Sequence, residues 1–280
     1  MIGIVVDSNS QMPRELAERH RIEIVPLVVT IDGVEHHEGV DLDADAFYAA
    51  WSDGAAPDVS TSQPAPGAFV DAYRRLVDRG ATEILSIHVS EAMSGTLNSA
   101  RLAAQSIDVP VTLIDTGTAS FGVSCCAWAA AQAIEDGADL AAAAGIARSR
   151  AGSLRTSFVV GVPSLVDRSG RASGVGVEQA SEGGVPVLAM TGPELSVLVT
   201  ANDLDEAVQA MVDDALAWPP SDDAGLRIAV GTSDATSRPL ALAITDAVTG
   251  DDRVAEVLQY RIGPSIGAHT GPGTAGLFVF

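Results

Sequence analysis

Short β-branched runs alternate with amphipathic stretches through the first half of the chain. Residues 2–6, IGIVV, read as a buried strand closed by Asp7-Ser8. Pro13 opens a helix to about His20. Ile22–Ile31 reads as one longer strand, and Asp32-Gly33 turns it back into Val34–Glu38, a hairpin signal. Asp43–Trp51 is helical in pattern, Ser52–Gln63 is a polar loop, and Ala65–Asp78 places Phe69, Tyr73, Leu76 and Val77 on one helical face. A regular alternation follows: strand 83–89, helix 95–107, strand 111–114, helix 119–135 and a further helix 139–150. Such spacing predicts an α/β fold whose mainly parallel sheet carries helices on both faces, with ligands at the carboxyl ends of the strands.

The pattern changes after about residue 152. Strand-like runs cluster at 157–160, 185–190, 195–200, 227–231 and 254–260, with helices at 203–217 and 237–249. We read these as a second, α+β domain with its own sheet. The expected division is residues 1–156 and 157–280.

Composition narrows the chemistry. Hydrophobic residues make up 47% of the chain but aromatics only 4%, so the core is mainly aliphatic. The formal net charge is −21, and the 16 basic residues are all arginine. Such an acidic chain is unsuited to nucleic acid or anionic lipid, both of which require basic groups. Without lysine there is no Walker A loop and no Schiff-base chemistry. No apolar run reaches the roughly 18 residues of a membrane-spanning helix, and MIGIVVDSNS lacks the basic leader of a secretory signal. Adjacent Cys125 and Cys126, in an Ala-rich helical pattern, read as small buried hydrophobes. The expectation is a cytoplasmic protein with no stable membrane insertion, no cofactor and no metal.

Several suggestive motifs lack the context their chemistry needs. Gly263-Pro264-Ser265-Ile266-Gly267 matches the G-x-S-x-G nucleophile elbow, but the Gly- and Pro-rich residues that follow are expected to be loop rather than helix. Gly271-Pro272-Gly273-Thr274-Ala275-Gly276 matches G-x-G-x-x-G with no long helix or acid after it. Glu35-His36-His37-Glu38 alternates faces along a strand and suits a solvated edge better than one ion. His20 and His88 stand alone in sequence and are expected to be structural.

Four segments hold more promise. Thr61-Ser62-Gln63-Pro64 precedes a helix, and Ser90–Thr96 lies between a strand and a helix mouth; plain capping accounts for either, though the second also suits an anion. Asp167–Arg171 reads as a charged turn with two arginines. His269 sits in a segment so rich in glycine that backbone could approach a ligand closely.

Six segments in order, VVDSNSQMP, TSQP at 61–64, SEAMSGTLNSA at 90–100, LIDTGTASFG at 113–122, LVDRSGR at 165–171 and IGAHTGPGTAGLF at 266–278, resemble the DegV family of bacterial fatty-acid-binding proteins. The resemblance spans essentially the whole chain and is to the type that serves as carrier subunit of a fatty acid kinase. It implies a two-domain α/β protein, not itself an enzyme, that encloses one long-chain fatty acid in an apolar tunnel and presents it to an ATP-dependent kinase for acyl-phosphate formation. The carboxylate ligands it implies are Thr61, Ser94 and His269, with Ser62, Gly95 and Thr96 in the same motifs. Arg171 is implied near the head group or on the kinase-facing surface. Two departures bear on chain length or partner docking: Glu35–Glu38 where relatives carry a tyrosine and an aspartate, and Ser169-Gly170 in place of a double glycine.

Two other classes compete. A serine-dependent hydrolase or acyltransferase would use Ser94 or Ser265 with His269 and consume an activated ester with a burst. A binder of another small anion would offer a short polar pocket in place of a long apolar tunnel.

Overall fold

A computed structural model describes residues 1–52, 56–171, 174–219 and 225–280. In chain order the first elements are β1 (Ile2–Asp7), α1 (Arg14–His20), β2 (Glu23–Val25), β3 (Val28–Ile31), β4 (Val34–His37), α2 (Ala44–Ala49) and β5 (Val59–Ser62). Next come α3 (Pro66–Asp78), β6 (Glu83–His88), α4 (Thr96–Ala104), β7 (Val111–Asp115), α5 (Phe121–Glu135) and α6 (Leu140–Gly152). The second half holds β8 (Arg155–Val159), α7 (Pro163–Arg168), α8 (Val177–Ser181), β9 (Val185–Thr191), β10 (Glu194–Ala201) and α9 (Leu204–Leu216). It closes with β11 (Leu226–Thr232), α10 (Arg238–Thr249), β12 (Val254–Arg261), α11 (Pro264–Thr270) and β13 (Ala275–Val279).

The chain forms two compact units. Residues Met1–Asp41 and Val59–Gly152 make the first, and Leu42–Asp58 and Ser153–Phe280 the second. The first holds an all-parallel sheet of order β2-β1-β6-β7 flanked by helices, as the alternating pattern predicts. Its core seats Phe69, Ala72, Tyr73 and Leu76 of α3 and Ala100 and Ala103 of α4 against Val5, Val25 and Ile84. α5 and α6 pack against β1, β6 and β7. The second unit holds a mixed sheet of order β10-β9-β8-β13-β11-β12. α9 and α10 bury Met211, Val212, Ile244 and Val248 against it, while Val166 of α7 and Val177 of α8 pack with Phe158 and Leu188. Along β8 and β9 these contacts alternate with those of Val159 and Val187, so helices cover both faces.

Four details differ from the sequence pattern. Residues 22–31 are two strands in different sheets, because Pro26 lacks a backbone N–H and breaks the ladder. The polar stretch 52–63 ends in a strand: β5 pairs with β3 antiparallel, placing Thr61 opposite Val29, although residues 53–55 of that stretch lie outside the described residues. Asp167 and Arg168 end helix α7 rather than forming a turn. Residues 264–270 are helical, with Pro264 at the first turn where its missing N–H costs nothing.

Candidate functional site

In the first unit, the TSQP and SGT segments meet. Thr61 is half-buried and Ser62 exposed at the end of β5, and the Gln63 side chain lies on Gly95. A Cβ at Gly95 would stand 3.0–3.2 Å from the Gln63 amide, so glycine is what allows this approach. The segment before it is a tight turn, in which Met93 N and Ser94 N both donate to Ser90 O at 3.0 Å. Ser94 Oγ and Thr96 Oγ1 are 2.8 Å apart, and Thr96 N donates to Ser94 Oγ at 3.3 Å. Either hydroxyl can donate in this pair, and Thr96 itself is buried.

Beneath this rim lies a network not visible in the sequence. β1 and β6 are parallel neighbours with Val6 opposite Ile87, so their ends bring Asp7 to His88. Asp7 Oδ2 lies 2.9 Å from His88 Nδ1 and accepts from Val89 N at 3.1 Å. His88 Nε2 is 2.6 Å from Ser86 Oγ, which is 2.9 Å from Tyr73 Oη. All of Asp7, Ser86, His88 and Tyr73 are fully buried. Burial pushes the Tyr73 hydroxyl up to about 12 despite its hydrogen bond to Ser86, so it remains neutral. The Asp–His–Ser order resembles a catalytic triad, but with no solvent access these groups hold strand ends together. His88 is structural as expected, but it is not isolated.

In the second unit, His269 and Arg171 are brought together. His269 lies on α11, not in a loop, and Arg171 Nη1 is 3.3 and 3.2 Å from its two ring nitrogens. Burial first, and the guanidinium second, lower the His269 pKa from 6.5 to about 4. The imidazole is therefore neutral at pH 7, with one N–H donor. Burial lowers the Arg171 pKa as well, yet the group stays cationic. An exposed cation beside a neutral N–H donor is a setting that suits an anion.

Close packing fixes α11. A Cβ at Gly267 would lie 2.5 Å from Tyr48 Oη and 2.7 Å from Phe47 Cε1, so the helix rests directly on the aromatic pair of α2. Tyr48 Oη donates to Ile262 O at 3.1 Å. α11 stops at Gly271, whose φ of 76° suits glycine. Ser265 lies in the first turn of α11, after strand β12, contrary to the expectation of loop, but it is only 2% exposed. The nucleophile-elbow reading fails on access rather than on helix context. Among the described residues there is no group of three or more His, Cys, Asp and Glu able to hold a metal, and no helix long and apolar enough to cross a membrane.

The comparisons with known proteins agree with this architecture. The DegV family model matches residues 1–280. A DegV domain-containing protein of Streptomyces coelicolor is 33% identical over 284 residues, covering 99% of this chain and 98% of its own. Among solved structures, a fatty-acid-binding DegV family protein from Thermus thermophilus superposes with a TM-score of 0.89 at 28% identity, covering 100% of this chain and 99% of its own. DegV from Bacillus subtilis, described as a fatty acid binding protein, gives 0.84 at 25% identity, covering 100% and 99%.

Proposed function

Because the chain belongs to the DegV family, we propose that it binds one long-chain fatty acid with its tail in an apolar tunnel and its carboxylate on hydroxyl and imidazole donors. The donors are Thr61, Ser94 and His269, with Ser62, Gly95 and Thr96 shaping the hydroxyl set and Arg171 offsetting the charge. One observation carries this reading: the cationic Arg171 pressed against neutral His269. That pair forms an electrostatic setting for an anion in a chain whose own net charge of −21 repels one. The paired Ser94 and Thr96 hydroxyls supply matching donor chemistry in the first unit.

The energetics suit such a ligand. Burying about 14 methylenes contributes roughly 0.8 kcal/mol each, on the order of 11 kcal/mol before ordering costs. An unpaired buried carboxylate would cost several kcal/mol or take up a proton, so it needs these donors.

The chain acts as a carrier and not as a catalyst. A separate cytoplasmic kinase takes the presented acid: a carboxylate oxygen attacks the γ-phosphorus of ATP, the bond to ADP breaks, and an acyl phosphate forms. The absence of lysine removes the usual phosphate-binding loop from this chain.

Lipid extracted from the purified protein and identified by mass spectrometry tests this directly. A stoichiometric long-chain acid is the expected result. Ser94→Ala and His269→Ala each lower retention roughly tenfold, and the double variant loses less than the two effects summed, because both donors serve one carboxylate. Unchanged retention in both single variants would remove the assignment.

A further inference from the structure

The segment that ends α11 is held by Asp234 at its Gly273. Gly273 N donates to Asp234 Oδ1 at 2.8 Å. Asp234 is itself held by Thr236 Oγ1, at 3.0 and 2.8 Å to its two oxygens, by Thr236 N at 3.3 Å and by Ser233 Oγ at 2.8 Å. Behind them, buried Thr274 donates through Oγ1 toward Thr270 O at 3.1 Å and Gly271 O at 2.8 Å, and accepts from Gly161 N at 3.3 Å. Thr270 O also accepts from Val162 N at 3.0 Å. Two glycines with φ of 76° and 83°, Gly271 and Gly273, let the chain turn tightly enough to make these bonds. Ser233 N adds a bond to Thr274 O at 3.1 Å, and Gly271 N one to Gly267 O at 2.8 Å, so for residues 270–274 Asp234 is the carboxylate in a mainly backbone-held turn. His269 is the residue immediately before that segment.

We propose that Asp234 is a positioning residue for His269: through Gly273 it fixes the turn that ends α11 and thereby sets the imidazole against Arg171. Burial alone would raise the Asp234 pKa, but the hydrogen bonds from Gly273, Thr236 and Ser233 outweigh it and hold the carboxyl below its ordinary value. The group is thus an ionised, multiply bonded acceptor at neutral pH, stronger as an anchor than a neutral one. The effect passes from Asp234 through Gly273 and the backbone that leads back to His269.

The inference rests on the fatty-acid reading only in its second readout. The first is the imidazole of His269 in lipid-free protein, followed by nitrogen-15 NMR for tautomer and titration. In Asp234→Ala the His269 titration moves from about 4 back toward 6.5 as the turn loosens and water reaches the ring. The second is palmitate affinity by calorimetry, which weakens roughly tenfold in the same variant. Asp234→Asn keeps one oxygen for Gly273 N and restores most of both. If Asp234→Ala does not fold, Thr236→Val loosens the same carboxylate and produces smaller shifts in the same direction.

A His269 titration unchanged in Asp234→Ala, or in Thr236→Val where that stands in for it, overturns the proposal, even if the melting temperature drops. Wild-type protein that binds no palmitate while Asp234→Ala still shifts the imidazole would sink the fatty-acid reading and leave the positioning role standing.

Discussion

His88 and His269 each lie beside an ionisable side chain, and the two neighbours carry opposite charge. His88 is fully enclosed between parallel strands, with the Asp7 carboxylate on one ring nitrogen and Ser86 on the other. His269 is half-buried on a short helix with a guanidinium against it. The first imidazole has donors and acceptors matched within the fold and gains nothing from a ligand. The second faces a cation, which together with burial keeps the imidazole neutral. A histidine's function here is read from its neighbour's charge and not from the residue itself.

Removing the match at His88 breaks this comparison most severely. Asp7→Ala strips acceptors from His88, Val89 N and Asn9 N at once. We expect a loss of about 3 kcal/mol or more of unfolding free energy, measured by urea denaturation. A loss under about 1 kcal/mol would mean the enclosed network is not what holds the strand ends.

A smaller effect is expected from disturbing the seat of His269. Gly267→Ala drives a methyl into Tyr48 and Phe47, at a cost of about 1–3 kcal/mol, seen as a lower melting temperature. Lipid retention should fall with it if α11 carries a head-group donor.

The smallest and most specific test is pH. An imidazole at 6.5 when unfolded and about 4 when folded contributes no penalty above 6.5; below it, the unfolded chain binds the proton first. Stability therefore declines as pH falls from about 6.5 to about 4. His269→Gln should flatten that part of the profile, and bound fatty acid should raise the His269 titration by placing a carboxylate beside the ring.

Much of the fold was legible because its signals are local. The alternation of β-branched runs and amphipathic helices gave the parallel sheet, and Asp32-Gly33 gave the β3–β4 hairpin. Where the pattern misled, a compositional habit hid a specific geometry. β5 is spelled Val-Ser-Thr-Ser and resembles a loop, because it is an edge strand with alternate residues in solvent. α11 looked like loop because of its glycines, yet Gly267 is there for close packing and Pro264 sits where a helix accepts it. The Asp7–His88 pair is 81 residues apart and depends on strand register, which no periodicity encodes. Of the candidate site, each motif could be found in sequence. That Gln63 rests on Gly95, that Arg171 faces His269, and that Asp234 holds Gly273 are facts of packing alone.

The placement of β13 has a consequence for synthesis. It lies between β8 and β11, both made well before it, and pairs antiparallel with each. During translation, β8 waits on the ribosome with one edge bare until residues 275–279 emerge, an interval on the order of ten seconds at typical bacterial speeds. A nascent chain stalled within that window exposes an unfilled slot of strand length, the kind of surface that chaperones shield and that neighbouring polysomal chains can invade.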